Sequence, residues 1–279
     1  MEDLSKLMLI TDMDGTLLTD DKKINPIDLK AIEQFKRLGG IFTIATGRNV
    51  QSASQYFKEL NIDCLVILYN GGMIFDVIHH RSVYIDELHE CAEDVANSIL
   101  NTFPTVACEI LTSKDIYVVR NNEYEQYHND YSRVTPQYCT LTDFVSNVKG
   151  SEKRIKMLFA MPSDSMSKLI RFIDSKGYGK YLDFVKSTDN YYEMLPKHCS
   201  KGMALKHYKE LLGLKDVIIV SVGDYNNDIE MLQTAHIGIA PNNALERVKR
   251  SADFVTNHNN NTGAIAETID YIISKFLPY

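Results

Sequence analysis

Residues 7–17, LMLITDMDGTL, decide the fold. Leu7, Met8, Leu9, Ile10 and Thr11 form a continuous apolar run of strand length, the pattern of a strand buried on both faces of a parallel sheet. At its end two carboxylates, Asp12 and Asp14, stand two residues apart, with the turn residues Gly15 and Thr16 after them. Outward from there, apolar spacing at Ile27, Ala31, Ile32, Phe35 and Leu38 predicts a helix over 27–38, which Gly39-Gly40 ends. A second buried strand, IFTIAT, is expected over 41–46, a helix over 49–60, and a third strand, CLVIL, over 64–68, closed by the turn Asn70-Gly71-Gly72. Strand and helix in strict alternation read as half of a doubly wound parallel sheet.

Between residues 84 and 190 the pattern changes. A helix over 87–100 is followed by strands over 106–111 and 115–120, a Tyr-rich stretch, a strand over 154–160, a helix over 165–176 and strands over 182–187 and 191–195. Adjacent strands with grouped helices predict an α+β module. Alternation then returns with a helix over 202–212, the buried strand VIIVSV over 217–222, and three further helices, over 228–234, 244–250 and 263–276, interleaved with two short strands, over 237–240 and 253–256. The fold class is therefore α/β: a doubly wound parallel-sheet core in two pieces, 1–83 and 191–279, with an α+β cap, 84–190, inserted between them.

A chain of 279 residues with 44% hydrophobic and 24% charged residues is long enough to bury a large core, which excludes disordered and collagen-like classes. The formal net charge of −7 and the lack of any Lys/Arg run argue against a nucleic-acid partner. No segment approaches the roughly 20 apolar residues of a membrane span, and the start of the chain lacks the layout of a signal peptide, so no membrane partner and a cytoplasmic location are expected. Cys64, Cys91, Cys108, Cys139 and Cys199 lie far apart and are read as reduced and mostly buried. The eight histidines lack metal spacing. Tyr117, Tyr124, Tyr127, Tyr131 and Tyr138 are read mainly as packing residues of the inserted module.

In an open α/β sheet, ligands bind at the carboxyl ends of the strands near the switch in strand order. The residues there would be Asp12-Met13-Asp14-Gly15-Thr16, Thr46-Gly47-Arg48 and Gly223-Asp224-Tyr225-Asn226-Asn227-Asp228. Two unit charges 4 Å apart repel by about 4 kcal/mol at an effective dielectric of about 20, so carboxylates gathered there call for a cation. Oxygen ligands alone indicate a hard ion, and Mg²⁺ suits a few carboxylates plus a substrate phosphate.

DxDGT, TGR, KG and GDxxND in this order resemble the haloacid dehalogenase superfamily, and the position of the insertion resembles its Cof-type branch with a type IIB cap. The resemblance implies a Mg²⁺-dependent phosphatase of small phosphorylated metabolites, sugar phosphates foremost. Asp12 is then the nucleophile that forms an aspartyl-phosphate, and Asp14 the general acid and base. Thr46 and Gly47 bind phosphate, Lys201 neutralises charge between nucleophile and phosphate, and Asn227 orients phosphate or a metal ligand. Asp12, Asp224, Asp228 and the backbone carbonyl of Asp14 hold the metal. Arg48 either contacts substrate or pairs with a carboxylate. A sugar phosphomutase with the same nucleophile, or a non-enzymatic phosphoacceptor sensing a metabolite, are the alternatives, and the intact Asp14 speaks against the second. The oligomeric state is open. At 257–263 the run Asn257-His258-Asn259-Asn260-Asn261 stands where relatives commonly carry an acidic loop, which is read as a polar loop.

Overall fold

The computed structural model describes residues 4–277. The chain begins with β1 (Leu7–Thr11), α1 (Pro26–Arg37), β2 (Ile41–Ile44), α2 (Val50–Glu59) and β3 (Leu65–Leu68), followed by β4 (Met73–Asp76) and β5 (Arg81–Ile85). Next come α3 (Ala92–Thr102), β6 (Ala107–Thr112), β7 (Ile116–Arg120), α4 (Glu123–Ser132), β8 (Gln137–Tyr138), α5 (Leu141–Asn147), β9 (Arg154–Ala160), α6 (Ser163–Lys176), β10 (Leu182–Lys186) and β11 (Tyr191–Pro196). The last part is α7 (Lys201–Leu211), β12 (Ile218–Val222), α8 (Ile229–Thr234), β13 (Ile237–Ala240), α9 (Glu246–Lys249), β14 (Phe254–Val255) and α10 (Ala264–Phe276).

One compact unit takes residues 1–48, 54–83 and 200–279. Its five-stranded sheet has the order β14-β13-β12-β1-β2, parallel throughout. From β1 the chain moves to one side for β2 and later returns on the other side for β12, β13 and β14, so the switch in order lies between β1 and β12. β1 and β12 are in register from Leu7–Ile218 to Thr11–Val222, which brings their polar ends to one level. Every residue of β1 is buried, as the unbroken apolar run requires. Helix α1 starts where Asn25 accepts from the Ile27 N–H and Pro26 has no N–H left to satisfy, and buries Ile32 and Phe35. Asp28, also fully buried, reaches across to accept from the Ala266 N–H and caps α10; burial raises its pKa to about 6.

The other unit comprises Tyr84–Cys199 together with Asn49–Ala53. Its six-stranded sheet, β10-β11-β9-β6-β7-β8, is antiparallel apart from the β7–β8 edge. Cys108, Ile110, Tyr117, Met157, Phe159 and Met194 from its strands join Val95, Ile99, Leu169 and Ile173 from α3 and α6 in one apolar core.

Several expectations need correction. The inserted unit runs to Cys199 rather than ending at 190, because β11 pairs with both β9 and β10. An apolar strand says nothing by itself about which sheet it joins. β3, expected as the third strand of the parallel sheet, instead pairs antiparallel with β4 in a separate β3-β4-β5 sheet and meets the chain after β2 through the isolated Ala45–Ile67 bridge. The Tyr-rich stretch contains α4, capped by Asn122, and α5, closed by a Thr140/Asp143 capping box. Among its tyrosines only Tyr117 is buried; Tyr127, Tyr131 and Tyr138 are exposed, and Tyr124 and Tyr127 line a cavity of about 570 Å³ with Glu123, Thr188, Asn190 and Tyr191. The five cysteines are reduced thiols, and of them only Cys108 is fully buried. Among the described residues, no helix is long and apolar enough to cross a membrane.

Candidate active site

Asp12 directly follows β1, Thr46 and Gly47 follow β2, and Asp224 and Asp228 follow β12, all at the carboxyl ends of neighbouring parallel strands. Lys201 opens α7, whose start is fixed by Ser200 accepting from the Met203 N–H. The chain thus delivers one ammonium and three carboxylates to one point from three separate segments.

Lys201 is 1% exposed, and its Nζ donates to Asp12 Oδ1 at 2.5 Å and Asp228 Oδ1 at 2.7 Å. Burial alone would depress the ammonium, yet the two carboxylates outweigh it and hold Lys201 above its ordinary pKa. Asp228, fully buried, turns its Oδ2 back to accept from the backbone N–H groups of Asp224 and Tyr225. A Cβ on Gly223 would lie 2.4 Å from that of Asp228, so only glycine lets this carboxylate fold under the strand end.

Oxygens of Asp12, Asp224 and Asp228 come within 4.8 Å of one another. Burial, with repulsion from Asp228 and Asp224, pushes Asp12 well above the ordinary carboxylate range despite Lys201. Burial chiefly, with Asp228 and Asp14 adding to it, raises Asp224 to about 6 against the hydrogen bond of 2.6 Å from Thr16 Oγ1. Three carboxylates against one ammonium leave an excess of negative charge that a bound cation relieves, and an all-oxygen donor set fits a hard divalent ion.

The carboxylate of Asp14 is not in that cluster, so its candidacy as a ligand falls to its backbone carbonyl. Its side chain is gripped by Arg48, with Nε on Oδ2 at 2.7 Å and Nη2 on Oδ1 at 2.8 Å, and by Lys22 Nζ at 2.9 Å. Burial would raise its pKa, but Arg48 and then Lys22 overcome this and lower it to about 2. Of the two roles weighed for Arg48, pairing with a carboxylate is the one observed, and the carboxylate is the candidate acid/base itself. Two aspartates two apart in sequence therefore have opposite surroundings, Asp12 crowded by like charge and Asp14 surrounded by cations.

Thr46 is 1% exposed, and its hydroxyl accepts from the Arg48 N–H. Asn227 donates from Nδ2 to Asn70 Oδ1 at 2.9 Å, and Asn70 packs against Gly47, where a Cβ would stand 2.9 Å from the same oxygen. Asn70 belongs to the turn after β3, with Tyr69 and Asn70 both in the left-handed region, φ 55° and 57°. The sequence marks Asn70 only as a turn residue, gives Thr16 a place in the DxDGT motif but no partner, and does not mark Lys22, since nothing in the spacing shows a residue whose partner another strand end supplies.

Residues 9–269 match the model of a family described as haloacid dehalogenase-like hydrolase. A Streptococcus pyogenes serotype M6 protein with a provisional phosphatase name is 28% identical over 93% of this chain and 96% of its own length. The 5-amino-6-(5-phospho-D-ribitylamino)uracil phosphatase of Escherichia coli K12 is 25% identical over 99% of both chains. A solved structure from Thermotoga maritima, 25% identical, superposes with a TM-score of 0.82 over 95% of this chain and 97% of its own.

Proposed function

We propose a reaction on a premise that the family match establishes: the chain belongs to the haloacid dehalogenase-like hydrolases, and it is a phosphatase of that family. The substrate is a small phosphorylated metabolite, a sugar phosphate or sugar-alcohol phosphate, the latter being the class named for the E. coli relative. The observation that carries the reading is the pairing of opposites two residues apart: Asp12 against the buried Lys201 with Asp224 and Asp228 beside it, and Asp14 held by Arg48 and Lys22.

A carboxylate oxygen of Asp12 attacks phosphorus, and the phosphorus–oxygen bond to the leaving group breaks with its electron pair going to that oxygen, which takes a proton from Asp14. In the second half, Asp14 as carboxylate removes a proton from water as the water oxygen bonds to phosphorus. The bond from phosphorus to Asp12 breaks, freeing inorganic phosphate and restoring the carboxylate. In the free protein Arg48 and Lys22 keep Asp14 ionised, ready for the second half. For the first half they have to release it: an incoming phosphate is the anion that draws them off, and the carboxylate so freed takes up a proton from solvent before passing it to the leaving oxygen. Lys201 holds Oδ1 of the nucleophile and offsets the charge that gathers as the two anions meet. The hydroxyl of Thr46 and the backbone at Gly47 bind phosphoryl oxygens, and Asn227 with Asn70 stiffens that wall. Asp12, Asp224 and Asp228 would hold Mg²⁺ together with the Asp14 carbonyl, and the ion would supply charge neutralisation for substrate and nucleophile. The inserted unit reads the part of the substrate beyond the phosphate.

Asp12→Asn tests the reading. Mg²⁺-dependent phosphate release from p-nitrophenyl phosphate is expected to fall by roughly 10⁴-fold or more. Retained hydrolysis would sink it, and isomerised sugar phosphate with little free phosphate would make the chain a mutase instead.

A further inference from the structure

The segment that follows Asp14 is held from outside by asparagines that no catalytic motif contains. Gly15 has φ +82° and lies so close to Asp224 that a Cβ would meet its Oδ2 at 2.5 Å, so the turn has no slack toward the carboxylates. On the other side, Asn243 Nδ2 donates to the Gly15 carbonyl at 2.7 Å. Asn243 Oδ1 in turn accepts from the Asn260 N–H at 3.1 Å, and the buried Asn260 side chain donates from Nδ2 to the Leu18 carbonyl and to Asp20 Oδ1, both at 3.0 Å. Asn261 adds a bond of 3.0 Å to Asp20 Oδ2. Asn243 comes from the loop after β13, and Asn260 and Asn261 from the loop after β14.

We infer that Asn243 and Asn260 are positioning residues for Asp14, clamping the chain at Gly15 and Leu18 so that its carboxyl is presented to the leaving group. The inference rests on the proposed role of Asp14 as proton donor. Backbone carbonyls are fixed points, and amide side chains hold them without adding charge to a crowded acidic site. The Asn-rich loop thereby has work that a merely polar loop would not: it carries the sheet's far edge to the turn that bears the acid/base.

A lost clamp should slow chiefly the half-reaction in which a proton must reach the leaving oxygen, because that oxygen is fixed in the bound substrate, whereas the water that Asp14 activates in the second half can follow a displaced carboxylate. Alkyl phosphates such as glycerol phosphate need that proton, whereas p-nitrophenyl phosphate departs as a stable phenolate. Asn243→Ala and Asn243→Asp are compared with wild type on both esters with saturating Mg²⁺, and Asp14→Asn serves as reference. Asn243 is solvent-exposed, so both variants are expected to fold. The expected result is a roughly ten- to hundredfold fall in kcat for the alkyl ester, with p-nitrophenyl phosphate changed by less than about threefold and KM little altered. Asn260→Ala should show the same selectivity. An equal loss on both esters, or none on either, overturns the clamp while Asp14→Asn, in a single turnover, still releases p-nitrophenolate far faster than the alcohol of the alkyl ester. If Asp14→Asn releases both leaving groups alike in a single turnover, the assignment of Asp14 as proton donor fails, and the clamp with it.

Discussion

Two acidic clusters, one in each unit, show opposite ways of burying carboxylates. In the core, Asp12 and Asp228 share the ammonium of Lys201, and Asp224 comes within ligand distance of both. In the inserted unit, Glu109 and Glu125 are 1% and 0% exposed, with Glu109 Oε1 against His128 Nδ1 at 3.1 Å and Glu125 Oε1 accepting from the Asn129 amide. There Glu109 Oε2, Glu125 Oε2 and Asn129 Oδ1 have no hydrogen-bond partner, and burial, with repulsion from Glu109, raises Glu125 to about 7. The core cluster gathers cations and converges; the other meets its charge problem by keeping a proton. Converging carboxylates with a built-in lysine mark a working site, whereas buried carboxylates short of donors mark a pH-sensitive support.

The largest effect on this contrast is expected from Lys201→Met. Removing the one fixed cation leaves Asp12 and Asp228 buried and uncompensated, at a cost of about 3–5 kcal/mol. The thermal midpoint should fall steeply without divalent metal, and added Mg²⁺ should recover more stability than it gives wild type. An unchanged midpoint would mean that the lysine does not balance the cluster.

Metal affinity should carry the signature of Asp224. Its pKa near 6 means that a proton must leave before a cation binds, so Mg²⁺ affinity should weaken by roughly tenfold per pH unit below pH 6. Calorimetric titration at pH 5 and pH 7, in buffers of different ionisation heat, counts the proton released. Affinity independent of pH across that interval would contradict the crowding argument.

The smallest effect belongs to Glu125→Gln. The folded pKa is raised, so this group costs nothing below its unfolded value near 4.5, costs progressively more as pH climbs, and levels off above about 7. Hydrogen exchange of the inserted unit in wild type should therefore show less protection at pH 8 than at pH 4.5, by on the order of 1 kcal/mol or more, and the glutamine variant should flatten this dependence. A profile identical to wild type would place the unit's pH dependence elsewhere.

How much was visible beforehand follows from the range of each interaction. Strands β1, β9 and β13 were read at their observed ends because their apolar runs are bounded by residues that cannot continue them. α9 and β14 are shorter than expected, since propensity does not know where a short element runs out of neighbours. Of the candidate site, Asp12, Asp224, Asp228 and Lys201 meet as expected, because motifs at the ends of parallel strands converge whatever lies between them. Which carboxylate Arg48 pairs with, the part of Lys22 in that grip, and the Asn243–Asn260 relay were not visible.

From residue order alone came the sheet type, the insertion and the set of carboxylates that need a cation, because these depend on local hydrophobic pattern and on where each apolar run ends. Folding was required to give Asp12 and Asp14 their opposite surroundings and to assign β11 to the inserted sheet. Side-chain ionisation is set by charges brought in from other strands, and sheet membership by pairing with partners dozens of residues away, and neither is encoded in the neighbouring residues.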